Sequence, residues 1–199
     1  MENDIDNSPK PEDENQLISE RRAKLDILRE NGAAFPNDFR RTALASDLQR
    51  DFDTVDKTEL EMAGHQFSVA GRITRKRGAF LLLQDGSGTI QLYINRETLS
   101  DSRLRDIRAW DLGDIVAASG SLQRSGKGDL YIEMEEARVL TKALRPLPDK
   151  YHGLVDQEIR FRQRYVDLIV NPEVREIFRI RAEVTQFIRQ FFSKRDFVE

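Results

Sequence analysis

The chain has 199 residues, a formal net charge of -3, 34% charged and 39% hydrophobic residues, and no cysteine. That length holds one domain with extensions or two small ones, and the absence of cysteine excludes disulfide scaffolds, zinc knuckles and thiol catalysis. The longest apolar runs, such as Ala79 to Leu83, are too short to span a bilayer and the N-terminus lacks an apolar signal region, so the chain reads as soluble and cytoplasmic.

The charge is unevenly spread. The first twenty residues are acidic, whereas Arg21-Arg22, Arg40-Arg41, Arg75-Lys76-Arg77 and Arg124 with Lys127 form basic clusters further on. A local patch sets the field at a groove, so a small net charge leaves both a polyanionic partner and a solvated mixed-charge surface open.

Residues 1–14 are polar and nearly without large apolar groups, and read as a disordered acidic tail. Residues 15–64 form a helical arm. Leu17, Ile18, Arg21, Leu25 and Leu28 share one side at helical spacing, and Asn31-Gly32 stops that helix. Weak helical turns follow around Ser46 to Arg50 and Lys57 to Met62, read as an arm rather than a core.

From Gln66 the apolar period changes to two. Phe67, Val69, Gly71 and Ile73 mark a first strand, Ala79 to Asp85 a second, and Thr89 to Ile94 a third across a Gly86-Ser87-Gly88 turn. A helix over Glu97 to Trp110 would bury Leu99, Leu104 and Ile107. Ile115 to Leu122 and Leu130 to Leu140 complete five strands, joined by Ser125-Gly126-Lys127-Gly128. This order over 65–143 is that of an OB-fold barrel, with another small five-stranded barrel as the alternative.

The prolines of Leu144 to Asp149 make residues 144–155 a linker. Gln157 to Val170 and Glu173 to Lys194 read as two helices parted by Asn171-Pro172. Val174, Ile177, Phe178, Val184, Phe187, Ile188 and Phe191 give the last helix an apolar stripe. A small barrel offers no adequate partner for it, which points to a missing domain or a second copy. The predicted class is therefore mainly β: a five-stranded OB-fold barrel with flanking helices.

An OB barrel binds on the face of its second and third strands, between the first-to-second and fourth-to-fifth loops. Here those loops are Thr74 to Gly78 and Arg124 to Gly128, both basic. With Leu81, Leu83, Ile90, Leu92 and Ile94 inside, alternation turns Phe80, Leu82, Gln84, Thr89, Gln91 and Tyr93 outward, with Arg72 beside them. Aromatic planes stack bases, guanidinium groups hold phosphates and an amide reads a base edge, so this face suits single-stranded nucleic acid. The bland reading covers Phe80 with the N-terminal helix and leaves Tyr93 as ordinary strand surface. His65 and His152 are isolated, and no phosphate loop or nucleophile is visible, so the residues argue for binding rather than chemistry.

Several stretches resemble bacterial lysyl-tRNA synthetase: Arg29 to Asn37, Val69-Ala70-Gly71-Arg72, Leu83-Gln84-Asp85, Ile90 to Tyr93, Trp110-Asp111-Leu112-Gly113-Asp114, Leu140 to Gly153 and Arg160 to Leu168. The barrel stretches alone also fit the aspartyl and asparaginyl relatives, and a non-catalytic single-strand-binding module is the reading from another class. The resemblance implies a barrel that reads the anticodon loop of tRNA(Lys), followed by a catalytic domain that uses ATP and Mg2+. On it, Phe80 stacks the central anticodon base, Gln91 reads that base's edge and Arg77 accompanies them. Asp129 stands where the family usually has a glutamate near the first anticodon base. With Arg72, Arg75, Tyr93 and Lys127 these complete the expected nucleic-acid-binding set.

Residues 156–199 resemble the start of the class II catalytic domain, whose first motif builds a homodimer. The sequence stops before that motif's proline, and the ATP and lysine motifs are absent from it. The expectation is thus a fragment that binds no cofactor and is inactive alone, from a parent lysine-tRNA ligase.

Overall fold

A computed structural model describes residues 11–32, 34–148, 154 and 156–198. Its internal contacts divide the chain between Pro146 and Leu147 into two units.

In the first unit, helix α1 (Pro11–Glu30) begins inside the expected tail, of which residues 1–10 lie outside the described residues. Pro11 suits a first helical position, where no amide hydrogen is needed. Leu25 and Arg21 of the anticipated face are buried, and Leu17 at its start is exposed. Arg21 tolerates burial because its guanidinium donates to the carbonyls of Ala143 (3.2 Å) and Arg145 (2.9 Å).

The arm continues through α2 (Ala45–Asp51) and α3 (Lys57–Ala63). Leu44 gives α2 no side-chain cap; instead the Ala45 amide donates to Asp85 Oδ2 at 2.8 Å. Asp56 caps α3 by accepting from the Glu59 amide, and Gly64 ends it in the left-handed conformation. Ala45, Leu48 and Leu60 are buried within the main hydrophobic cluster. The arm is therefore part of the core, contrary to the sequence expectation. Two seven-residue helices are too short to stand alone, and they are held by the apolar area they bury.

Five strands follow: β1 (Gln66–Arg77), β2 (Phe80–Gln84), β3 (Thr89–Tyr93), β4 (Ile115–Arg124) and β5 (Leu130–Thr141). They pair in the order β1-β2-β3-β5-β4, and β1 also pairs with β4 to close the ring. The sheet is mixed: β3 and β5 run parallel through three residue pairs, while every other pairing is antiparallel. Alternation places Val69, Ile73, Leu81, Leu83, Ile90, Leu92, Val116, Leu122, Ile132 and Met134 inside.

At Gly120, beside a register shift in β4, an added Cβ would stand 1.8 Å from the Glu133 carbonyl oxygen. Only glycine permits that approach of β4 to β5. Helix α4 (Asp101–Ala109) is shorter than its sequence pattern. Asn95 first folds the chain over itself by accepting from the Glu97 amide, and Ser100 then caps the helix.

The second unit holds α5 (Gln157–Arg162), α6 (Arg164–Val170) and α7 (Pro172–Ser193). The single helix expected over Gln157 to Val170 is broken at Gln163, whose backbone leaves the helical region. Asp167 organises the turn that follows. It is fully buried and accepts from Arg160 Nε (2.9 Å), Asn171 Nδ2 (2.7 Å) and the Arg164 guanidinium. Arg164 also lies over the rings of Phe161 and Phe178. Along α7 only Val174 is buried, and Ile177, Val184, Phe187 and Ile188 are exposed.

The expectation of a mainly β chain is overturned. Among the described residues helices hold more of the chain than strands: α1 and α7 alone, at 20 and 22 residues, nearly match the five strands together. The class is mixed, a five-stranded sheet with extensive flanking helices. The arm and the C-terminal helices, treated as accessories in the sequence reading, are the reason.

Candidate nucleic-acid interface

Strand pairing maps the outer face directly. One row across the sheet runs Arg77, Phe80, Tyr93, Glu133 and Ser121; the next runs Arg75, Leu82, Gln91, Tyr131 and Gln123. Directly paired residues share a face, so arginine, aromatic and amide side chains from β1, β2, β3 and β5 gather on one side.

The rings of Phe80 and Tyr93 lie 4.9 Å apart at 39°. Tyr131 stands nearly perpendicular to Phe80 at 5.8 Å and edge-on to Tyr93 at 5.6 Å. All three are half-buried, and Phe80's ring neighbours are these tyrosines. Tyr131 was missed by the sequence reading. The signal was present, because Leu130, Ile132 and Met134 are the buried partners in its alternation. Burial raises its phenol above the ordinary value, with Glu133, Tyr93 and Glu61 adding to the effect, so it is a neutral hydroxyl at physiological pH.

Gln91 is half-buried, and its side-chain amide has no protein partner among the described residues. Arg75 and Arg77 are exposed and likewise make no ion pair among those residues. They stand in β1 rather than in the expected Thr74 to Gly78 loop. A register shift between Ile73 and Arg75 carries the strand on to Arg77, where Gly78, at positive φ, makes the turn.

Other expected members lie apart. Arg72 is half-buried and donates to the Gly113 carbonyl at 2.7 Å; burial lowers its guanidinium from the usual value, opposed by Asp114. Lys76 donates to the Trp110 carbonyl, and burial lowers it too. In the other loop expected to be basic, Arg124 closes β4 and turns back to the arm, donating to the carbonyls of Val55 (2.9 Å), Asp53 (3.1 Å) and Phe52. Lys127 and Asp129 are exposed at the β4–β5 turn, where the amides of both donate to Ser125 Oγ. Of the histidines, His65 packs against Phe52, and His152 is outside the described residues. No group of three or more His, Asp or Glu side chains is placed to hold a metal among the described residues. No helix among them is long and apolar enough to cross a membrane.

The Trp110–Asp114 turn has a different character. Lys142, almost fully buried, donates to Asp114 at 2.8 and 2.9 Å and also to Asp111. Asp114 further accepts from the Ala143 and Asp111 amides, and Asp111 from Lys24 of α1. Burial alone would raise Asp111, but hydrogen bonds from Lys142 and Lys24 hold it below the usual carboxylate range.

Residues 67–140 match the family of OB-fold nucleic acid binding domains, and residues 156–199 match class II tRNA synthetases (D, K and N). The molecule thus combines a nucleic-acid-binding barrel with the opening of a class II synthetase domain. Lysine–tRNA ligases of Pseudomonas syringae pv. syringae, Chromohalobacter salexigens and Hahella chejuensis are 56%, 57% and 56% identical to it over 94% of this chain. The chain belongs to the bacterial lysine–tRNA ligase family and corresponds to its N-terminal anticodon region. It spans 37% to 38% of the length of these relatives.

Proposed function

We propose that this chain is the anticodon-reading part of a lysine–tRNA ligase, a cytoplasmic enzyme whose whole length joins lysine to tRNA(Lys) using ATP and Mg2+. The observation that carries this reading is the gathering of Phe80, Tyr93 and an unpartnered Gln91 beside exposed Arg75 and Arg77. Phe80 stacks the central anticodon base, Tyr93 widens the aromatic platform, and the Gln91 amide pairs with the base's edge. Arg75, Arg77 and Lys127 neutralise loop phosphates, and Asp129 accepts from the first anticodon base. Arg72, held to Gly113, supports the wall of the face.

ATP and Mg2+ would be held by residues outside this sequence. The apolar stripe of α7 joins two copies of the whole protein. Phe187→Asp in that protein should shift it from dimer to monomer in sedimentation; an unchanged dimer would move the interface elsewhere.

The test of the main reading is a fluorescence titration of this polypeptide with a UUU anticodon stem-loop at fixed salt, against the same hairpin with its central uridine replaced. Preference for the UUU loop by about tenfold or more supports the reading. Equal affinities would leave a charge-driven single-strand-binding module instead.

A further inference from the structure

The rows of the outer face give Tyr131 a place that the roles above do not use. It is the direct partner of Gln91 across the parallel β3–β5 pairing, so its ring stands beside the amide that faces the base edge. Its plane lies at 88° to that of Phe80. A base stacked on Phe80 is parallel to Phe80, so Tyr131 stands across the plane of that base and cannot stack on it. The Tyr131 hydroxyl has no protein partner among the described residues and no buried side-chain polar atom there is unsatisfied, so it is open to solvent. The ring is fixed on two sides, by Phe80 and by Tyr93 at 5.6 Å. An upright ring held in this way is a rigid boundary.

We infer that Tyr131 is a specificity-determining residue: the end wall of the base site, which admits a one-ring pyrimidine on Phe80 and excludes a two-ring purine. This rests on the reading that Phe80 stacks the central anticodon base. Gln91 then distinguishes among pyrimidines by hydrogen bonding, while Tyr131 acts by size alone. A wall of this kind acts through a clash that only the wrong base meets.

The experiment measures affinities of wild type, Phe80→Ala, Tyr131→Ala, Tyr131→Val and Tyr131→Phe for hairpins with uridine or adenosine at the central position. Valine is included because it is compatible with a strand. Wild type should prefer uridine by about tenfold or more, and the alanine and valine variants should lose most of that ratio by binding the adenosine loop more tightly. Tyr131→Phe should keep the ratio, because the wall is the ring and not the hydroxyl. Equal losses for both loops in the alanine and valine variants would make Tyr131 a support for Phe80 and overturn the inference. An unchanged ratio in those variants would overturn it as well. If wild type does not discriminate, or Phe80→Ala binds as wild type does, the stacking reading itself fails, and the wall with it.

Discussion

Two polar regions of the same barrel invite comparison: the outer face around Phe80 and Gln91, and the turn from Trp110 to Asp114. In the turn every charge is answered. Lys142 meets two aspartates, Asp114 accepts from two amides as well, and Lys24 anchors α1 to Asp111. On the outer face the reverse holds: the Gln91 amide, the Tyr131 hydroxyl and the Arg75 and Arg77 guanidiniums have no protein partner among the described residues. Folding tends to satisfy buried polar groups, so saturation marks a region built for stability. Groups held in place without partners mark a surface kept for something else. Basic side chains alone do not separate the two regions, since Lys24, Lys76 and Lys142 reach the turn from other elements as Arg75 and Arg77 flank the outer face.

The widest separation should come from breaking the turn. Lys142→Ala leaves the fully buried Asp114 carboxylate without its cation, and removing one partner of such a pair costs about 3–5 kcal/mol. Chemical unfolding should show that loss, while the fraction still folded binds the anticodon hairpin as before. Were stability unchanged, the turn would not be the anchor that its saturation implies.

Phe80→Ala should do the opposite. Its ring is only half-buried, so unfolding should change little, while hairpin binding weakens by about 1–3 kcal/mol, roughly ten- to hundred-fold. A variant that lost stability and kept affinity would return Phe80 to the core. Smaller again are Arg75→Ala and Arg77→Ala, each expected to lower the slope of log affinity against log salt by about one. An unaltered slope would remove that arginine from the phosphate contacts.

How much of this was legible beforehand follows from the range of the forces. Leu81, Leu83, Ile90 and Leu92 were placed inside by alternation, a local property, and each is buried to within 1%. Tyr131 obeys the same rule but sits in a strand whose following Glu135 and Glu136 are both exposed near the register shift at Gly120, which blurs the pattern. Asp85, Arg124 and Lys142 look like surface charges in sequence. Their distant partners lie 40, 69 to 72, and 28 to 31 positions away, and no periodicity announces such pairings. The short arm helices were legible as turns but not as core, because the area that Leu48 and Leu60 bury is created only when the barrel stands beneath them.

The smallest expected effect concerns acid. Asp85 accepts from the amides of Ala45, Ser87 and Gly88 and from the Ser87 hydroxyl, joining α2 to the β2–β3 turn. Burial alone would raise its carboxyl, but the hydrogen bonds from Ala45 and Ser87 prevail and hold it below the usual range; Asp111 is lowered in the same sense. A carboxyl whose folded value lies below its unfolded one gives its full stabilisation above the unfolded value, and loses it as pH falls through the folded one. Stability should therefore be level with pH near neutrality and drop below about pH 4. Asp85→Asn should be less stable at pH 7 and show a shallower fall in acid, read from unfolding midpoints between the two extremes. An equally steep fall would assign the acid sensitivity to the other carboxyls held low, such as Asp111 among its lysines and Asp167 beside Asn171 and its arginines, rather than to the junction of arm and barrel.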